Sequence, residues 1–199
     1  MKRKAAIAFM TTGVLCIVFA MGLLIYNNIE SSNAQKNAIV IMDSIRIAMA
    51  DSPEEPDDPF DEVMKTKEID GYDYIGYLSV PVLELDLPVM SECDYDRLKI
   101  SPCRYYGSTK TDNLVIAAHN YRYHFGYLGH LNPGDVITFT DMDSNVLYYA
   151  VDSLELLSPS ESEKVKDTGD DLILYTCTYS GEKRVVVRCS YMDTTTPTR

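Results

Sequence analysis

Residues 5–26 contain no charged side chain, and Lys2, Arg3 and Lys4 stand directly before them. As a helix, a stretch of that length spans roughly 30 Å, the thickness of a bilayer's hydrocarbon core. Basic residues stay on the cytoplasmic side, which puts the N-terminus inside and everything after Tyr26 outside. A cleaved signal peptide is the competing reading, since Ser32, Asn33 and Ala34 supply small residues for a peptidase. The apolar run is longer than an ordinary signal core, so an uncleaved single-pass anchor in the cell membrane is the expectation. The organisation predicted from it is a cytoplasmic tail (1–4), a transmembrane anchor (5–26), an extracellular helical stalk and acidic linker (27–71), a main folded domain (72–192) and a C-terminal tail (193–199).

The chain's net charge is −12, and all of its acidic residues lie in the part outside the anchor. A surface so acidic repels nucleic acid and anionic lipid, leaving peptides, proteins or wall material as partners. Of the five cysteines, Cys16 lies in the apolar run, leaving Cys93, Cys103, Cys177 and Cys189. No CxxC occurs and no histidine follows at ligand spacing, so no zinc site is expected. Cys93 and Cys103 are a candidate pair across a short loop. A free thiol kept in an oxidising compartment needs a use.

Residues 27–50 read as a helix continuing outward, loosely amphipathic, either a stalk or a docking helix. The acidic, proline-punctuated segment 51–59 reads as a linker, because a packed core does not tolerate such composition. From Tyr72 the pattern turns β-rich. Strands are predicted over 74–80 and 83–89, with prolines at their edges, and over 113–118. One or two helical turns are predicted over 123–131. A hairpin over 136–140 and 146–156 follows, then a polar stretch 158–170, a strand ending at Cys177, and a last strand over 184–191. Many short strands with little helix define an all-β domain, a closed barrel or a sandwich.

Cys177 ends the apolar run Leu172-Ile173-Leu174-Tyr175-Thr176. A thiol where a strand runs into a loop is reachable by a substrate, the first need of a nucleophile, although buried packing is a common fate of cysteine. Three histidines are available as proton carriers: His119, His124 and His130. His119 ends an apolar strand as Cys177 does, so a barrel can bring both to one rim; His124 and His130 read as packing or surface residues. Acyl transfer from an amide also needs positive charge at the developing oxyanion. Arg184 and Arg188 share one face of the last strand, so either can serve, and Arg184 is nearer Cys177.

These segments resemble the sortases, membrane-anchored cysteine transpeptidases of Gram-positive bacteria. The resemblance covers 75–191. It rests on Ile75-Gly76-Tyr77-Leu78-Ser79-Val80-Pro81 with Leu87-Pro88-Val89, on Ala118-His119-Asn120, and on 129–135 ending in Pro133-Gly134-Asp135. Leu172-Ile173-Leu174-Tyr175-Thr176-Cys177 and Arg184-Val185-Val186-Val187 complete it. Ile173 stands where the family usually has threonine. The resemblance implies a closed eight-stranded β-barrel with short helices. It also implies Cys177 as nucleophile, His119 as general acid and base, and Arg184 stabilising the oxyanion or holding the substrate backbone. Thr176 would orient the substrate, with Ala118 and Asn120 beside it. The implied reaction is cleavage of an LPXTG-type sorting signal through a thioacyl enzyme. An amine of the cell wall or of a pilin then resolves that intermediate.

Asp58-Pro59-Phe60 resembles the lid of pilus-building class C sortases, making Asp58 and Phe60 candidate lid residues. The stretch 158–170 is too short for the helical insertion of class B, and a class D- or E-like enzyme is favoured. No cofactor is expected. The acids Glu161, Glu163, Asp167, Asp170 and Asp171 are a candidate calcium cluster, although a solvated acidic loop is the simpler reading. The alternatives are a thiol peptidase that only hydrolyses and a non-catalytic surface module on a similar barrel.

Overall fold

The computed structural model describes residues 2–50 and 63–193. Helix α1 (Lys2–Ala50) leads into β1 (Lys67–Ile69), β2 (Tyr72–Val80), β3 (Leu85–Met90), the single turn α2 (Tyr95–Leu98), β4 (Cys103–Tyr106) and β5 (Leu114–Ala117). After them come β6 (Val136–Asp141), β7 (Val146–Leu157), β8 (Leu172–Cys177) and β9 (Arg184–Tyr191). Short 3₁₀ turns occupy Pro81–Leu83, Leu128–His130 and Pro159–Val165.

Strand order is β1-β2-β3-β4-β5-β8-β9-β7-β6, and β6 returns to pair with β2. That last pairing closes β2–β9 into the expected eight-stranded barrel. β1 is a ninth, short strand on the edge of β2 that β6 also uses. β1 covers Tyr72 to Tyr74 and β6 covers Gly76 to Ser79. The β2–β3 register shifts between Tyr74 and Gly76. Gly76 has φ +144°, and a Cβ there would stand 2.1 Å from the Thr140 carbonyl oxygen. Only glycine lets β6 approach closely enough to shut the barrel.

Strand period two sends Leu78 and Val80 of β2, Ile116 of β5, Phe139 of β6, Leu174 of β8 and Val187 of β9 into one buried core. β8 is apolar on both faces. Its outward Ile173 joins Val115, Leu157, Val165 and Val186 in a second cluster outside the barrel wall. A strand covered on both sides reads as a continuous apolar run, as Leu172–Tyr175 does.

The first half of α1 is exposed, and it is long and apolar enough to cross a membrane. Its second half is not a free stalk. Ala34, Ala38, Ile41, Met42 and Ile45 are buried. Ile41 and Ile45 pack with Ile69, Tyr74, Met90, Cys103 and Met142. Fully burying an aliphatic side chain contributes about 1.5–3 kcal/mol before ordering costs. Three of them, Ile41, Met42 and Ile45, are enough to hold the helix on the barrel.

Four expectations change. Residues 67–69, assigned to the linker, form β1 within the sheet. Cys103–Tyr106 is a barrel strand that the sequence pattern did not reveal. The predicted helical turns over 123–131 reduce to one 3₁₀ turn, Leu128–His130. Cys93 and Cys103 are free thiols that pack in the same cluster rather than a bridge. Asp58 and Phe60 lie outside the described residues.

Candidate active site

Three neighbouring strands in the order β5-β8-β9 bring the candidate residues to one end of the barrel wall. β5 and β8 are parallel, with Ala117 opposite Tyr175. The register continues past the strand end: the Ala118 amide donates to the Tyr175 carbonyl at 3.1 Å, and Asn120 Nδ2 donates to the Thr178 carbonyl at 3.1 Å. His119 and Cys177 therefore leave adjacent strands side by side, about 4.8 Å apart in backbone spacing. β8 and β9 are antiparallel, and Cys177 is directly opposite Arg184. Directly opposed residues project to the same face. Cys177 and Arg184 consequently share the outer face with Ile173, Tyr175 and Val186, where Tyr105 stacks on Tyr175 at 5.7 Å.

Thr176 alternates inward. Its side chain is buried, and Oγ1 donates to the Ala118 carbonyl at 2.7 Å. That hydroxyl is thus used inside the wall. It ties the residue before Cys177 to the residue before His119. A net worth of about 1 kcal/mol is ordinary for such a bond; its larger consequence is to fix the spacing of thiol and imidazole. Ala118 is buried beside it, and Asn120 braces the loop after Cys177.

His119 sits in an aromatic cradle that the sequence did not reveal. Tyr121 stacks on it at 4.9 Å and Tyr95 meets it edge-on at 5.5 Å. Tyr121 in turn donates to Glu30 of α1 at 3.4 Å. Burial lowers the His119 pKa, Lys99 lowers it further, and Glu30 opposes them. A neutral imidazole is therefore favoured, and Nε2 is buried with no hydrogen-bond partner among the described residues. A neutral, unengaged ring nitrogen is able to accept a proton.

The two arginines separate by their partners. Arg188 is committed to structure. Its Nε donates to Glu155 at 2.8 Å, and it also pairs with Asp170. Arg184 donates to carbonyls of its own turn, Gly181 at 3.0 Å and Lys183 at 3.2 Å, and engages the Tyr175 hydroxyl. It also lies close enough to Tyr175 to oppose the upward push of burial on that phenol's pKa. Each member of the candidate calcium cluster is engaged elsewhere. Glu161 pairs with Lys164, Glu163 with Lys166, Asp167 with Tyr106, Asp170 with Arg188, and Asp171 with the Tyr191 amide. Among the described residues no group of three or more His, Cys, Asp or Glu side chains is placed to hold a metal.

His124 is a packing residue. It is fully buried, and burial, with a smaller push from His119, lowers its pKa from 6.5 to about 4. The folded protein therefore binds fewer protons than the unfolded chain below pH 6.5. Its contribution is fully present above 6.5, is lost as pH falls, and levels off below about 4. The shift amounts to ~3 kcal/mol. Urea midpoints of the full chain between pH 7 and 4.5 should fall, and His124→Phe should flatten that slope. An unchanged slope in the variant would remove His124 as the cause.

A closed barrel with a thiol, an imidazole and a guanidinium at three adjacent strand ends has the parts of a thiol-dependent acyl-transfer enzyme. The family model described as the sortase domain matches residues 78–192, and the chain belongs to the sortase family, whose members are cysteine transpeptidases. In fold it is similar to sortase C-3 from Streptococcus pneumoniae, at 24% identity over 84% of each chain with TM-score 0.56. Similarity extends to a Clostridium perfringens sortase D5 transpeptidase, at 19% identity over 81% of this chain and 99% of that one, TM-score 0.64. Sortase C1 from Streptococcus agalactiae is 25% identical over 63% of this chain and 71% of its own, TM-score 0.55. No curated protein matches the chain.

Proposed function

We propose that this sortase cleaves an LPXTG-type sorting signal and joins the released acyl group to an amine of the cell wall or of a pilin. Cys177 Sγ attacks the scissile carbonyl carbon, and its proton passes to His119. Arg184 stabilises the oxyanion, and collapse of the tetrahedral intermediate expels the amine, which His119 protonates. The resulting thioester is attacked by an incoming amine, whose proton His119 removes. Cys177 is then released as the thiol, so protons and bonds balance over the cycle.

What carries this reading is the register that lines up His119, Cys177 and Arg184 across three neighbouring strands. The half-buried aromatic shelf of Tyr105 and Tyr175 beside Cys177 offers a surface for an extended peptide. A class D- or E-like assignment is our preference, supported by the shortness of the segment before β8, whose helix is the seven-residue 3₁₀ stretch Pro159–Val165. Anchoring by α1 with the N-terminus inside completes the proposal.

The test incubates the full chain in detergent micelles with a panel of sorting-signal peptides, with and without an added amine. A thioacyl adduct on Cys177 by mass, converted to amide product when amine is present, is expected. Adduct followed only by hydrolysis would identify a thiol peptidase. No adduct with any peptide would leave a non-catalytic module.

A further inference from the structure

We propose that the barrel rim formed by Tyr95, Arg122, Tyr127 and Tyr179 sits in the headgroup layer of the membrane that α1 spans. The candidate active site then works at the bilayer surface rather than at the end of a stalk. This inference rests on the span of α1 and is independent of the chemistry proposed for Cys177.

The uncharged run of α1 ends at Tyr26, and the barrel faces the helix across a cleft at that level, with Tyr121 bonded to Glu30 just beyond it. A cleft of about 260 Å³ lies between them. Leu24, Asn27 and Ser31 line it on the helix side, and Arg122, Tyr127 and Tyr179 on the barrel side. Leu24 is two positions inside the apolar run. At 1.5 Å per residue, Leu24 to Ser31 spans about 10 Å of helix axis. The headgroup region of one leaflet is roughly 5–7 Å thick. A barrel rim facing the helix across that cleft is therefore level with the headgroups. The continuity of α1 from Lys2 to Ala50 fixes this height.

The chemistry of the rim suits that layer. Tyr179 is 82% exposed and Tyr95 69%, the most exposed aromatic residues of the described barrel. Tyrosine is favoured at membrane interfaces because its ring meets acyl chains while its hydroxyl meets water. Arg122 is exposed, and Lys99 lies over the Tyr95 ring at 4.8 Å while paired with Asp96 at 2.7 Å. Long basic side chains reach phosphates from such positions. The acidic net charge of the chain opposes anionic lipid, and a zwitterionic surface suffices for a tyrosine-rich rim. Tyr95 also packs on His119, which ties the rim to the candidate site. At the opposite end, Val146 lies beside Met49 and Ala50, about 36 Å further along the helix than Tyr26. Tyr191, paired with Tyr149 on the strand that begins at Val146, belongs to that end.

The chain has no tryptophan, so a single introduced one reports alone. The full chain carrying Tyr179→Trp, Tyr127→Trp, Tyr191→Trp or Leu15→Trp is placed in phosphatidylcholine vesicles. Those vesicles contain lipids nitroxide-labelled either at the headgroup or deep in the acyl chain. Headgroup label should quench Tyr179→Trp and Tyr127→Trp about two-fold or more and leave Tyr191→Trp nearly unaffected, as depth in the layer dictates. Leu15→Trp should respond to the deep label. If both rim variants are quenched no more than Tyr191→Trp while Leu15→Trp is quenched, the membrane seat is overturned. If Leu15→Trp is also silent, the span fails and the seat fails with it.

Discussion

Cys177→Ala should reduce cleavage of any sorting-signal peptide to the uncatalysed background while leaving the thermal midpoint unchanged. The half-exposed thiol stands at the end of β8 on the outer face, opposite Arg184, and contributes no atom to the barrel core. Truncating it removes the protein's own nucleophile in the proposed cycle, and losing a nucleophile costs more than losing an orienting or charge-stabilising group. Cys189→Ala is the matching control. Cys189 is fully buried in the barrel core, so its loss should cost about 1–2 kcal/mol of stability and leave turnover per folded molecule intact. Mass spectrometry of the thioacyl adduct together with thermal melts of both variants checks the pair. A Cys177→Ala protein that still forms adduct or product would sink the nucleophile assignment.

The strand-end position of Cys177 was legible because β8 is an apolar run interrupted by a thiol at its last residue. His119 was legible for the same reason at the end of β5. Their parallel pairing was not, since a crossover places two distant segments side by side without any local signal. Arg184 was favoured by its nearness to Cys177 and by the resemblance. What carried no local signal is the long-range pair, Glu155 and Asp170, that commits Arg188 to the fold.

The role of α1 beyond Tyr26 was hidden by excess hydrophobicity. Its buried positions, 34, 38, 41, 42 and 45, follow the spacing of a single helix face. Exposed Ile39, Val40 and Ile47 surround that stripe and blur it. Glu30, which reaches the His119 cradle through Tyr121, carries no sequence signal for that placement at all. β4 was missed for a different reason. It is four residues long, follows Pro102, carries a register break between Arg104 and Tyr106, and meets β3 through one residue pair. Too few residues alternate there for period two to stand out.

Arg184→Ala should lower kcat/KM by about 10²–10³-fold, the range found when a donor to a developing oxyanion is removed. Its guanidinium has no carboxylate partner among the described residues, being held by turn carbonyls and the outer-face Tyr175 hydroxyl, so stability should change little. Arg184→Lys keeps the charge but loses the planar fork, and should recover part of the rate rather than all of it. Arg188→Ala should behave in the opposite way. Arg188 is 17% exposed at its side chain and pairs with Asp170 at 21% and Glu155 at 38%. Removing it leaves two partly buried carboxylates unpaired, at a cost of about 1–3 kcal/mol after allowance for solvent screening. Turnover of the folded fraction should be kept. Parallel kinetics and denaturant melts of the three variants separate a charge used on the substrate from a charge used on the fold. Full activity in Arg184→Ala would remove that arginine from the chemistry. A rate loss in Arg188→Ala beyond its loss of folded protein would transfer the role to Arg188.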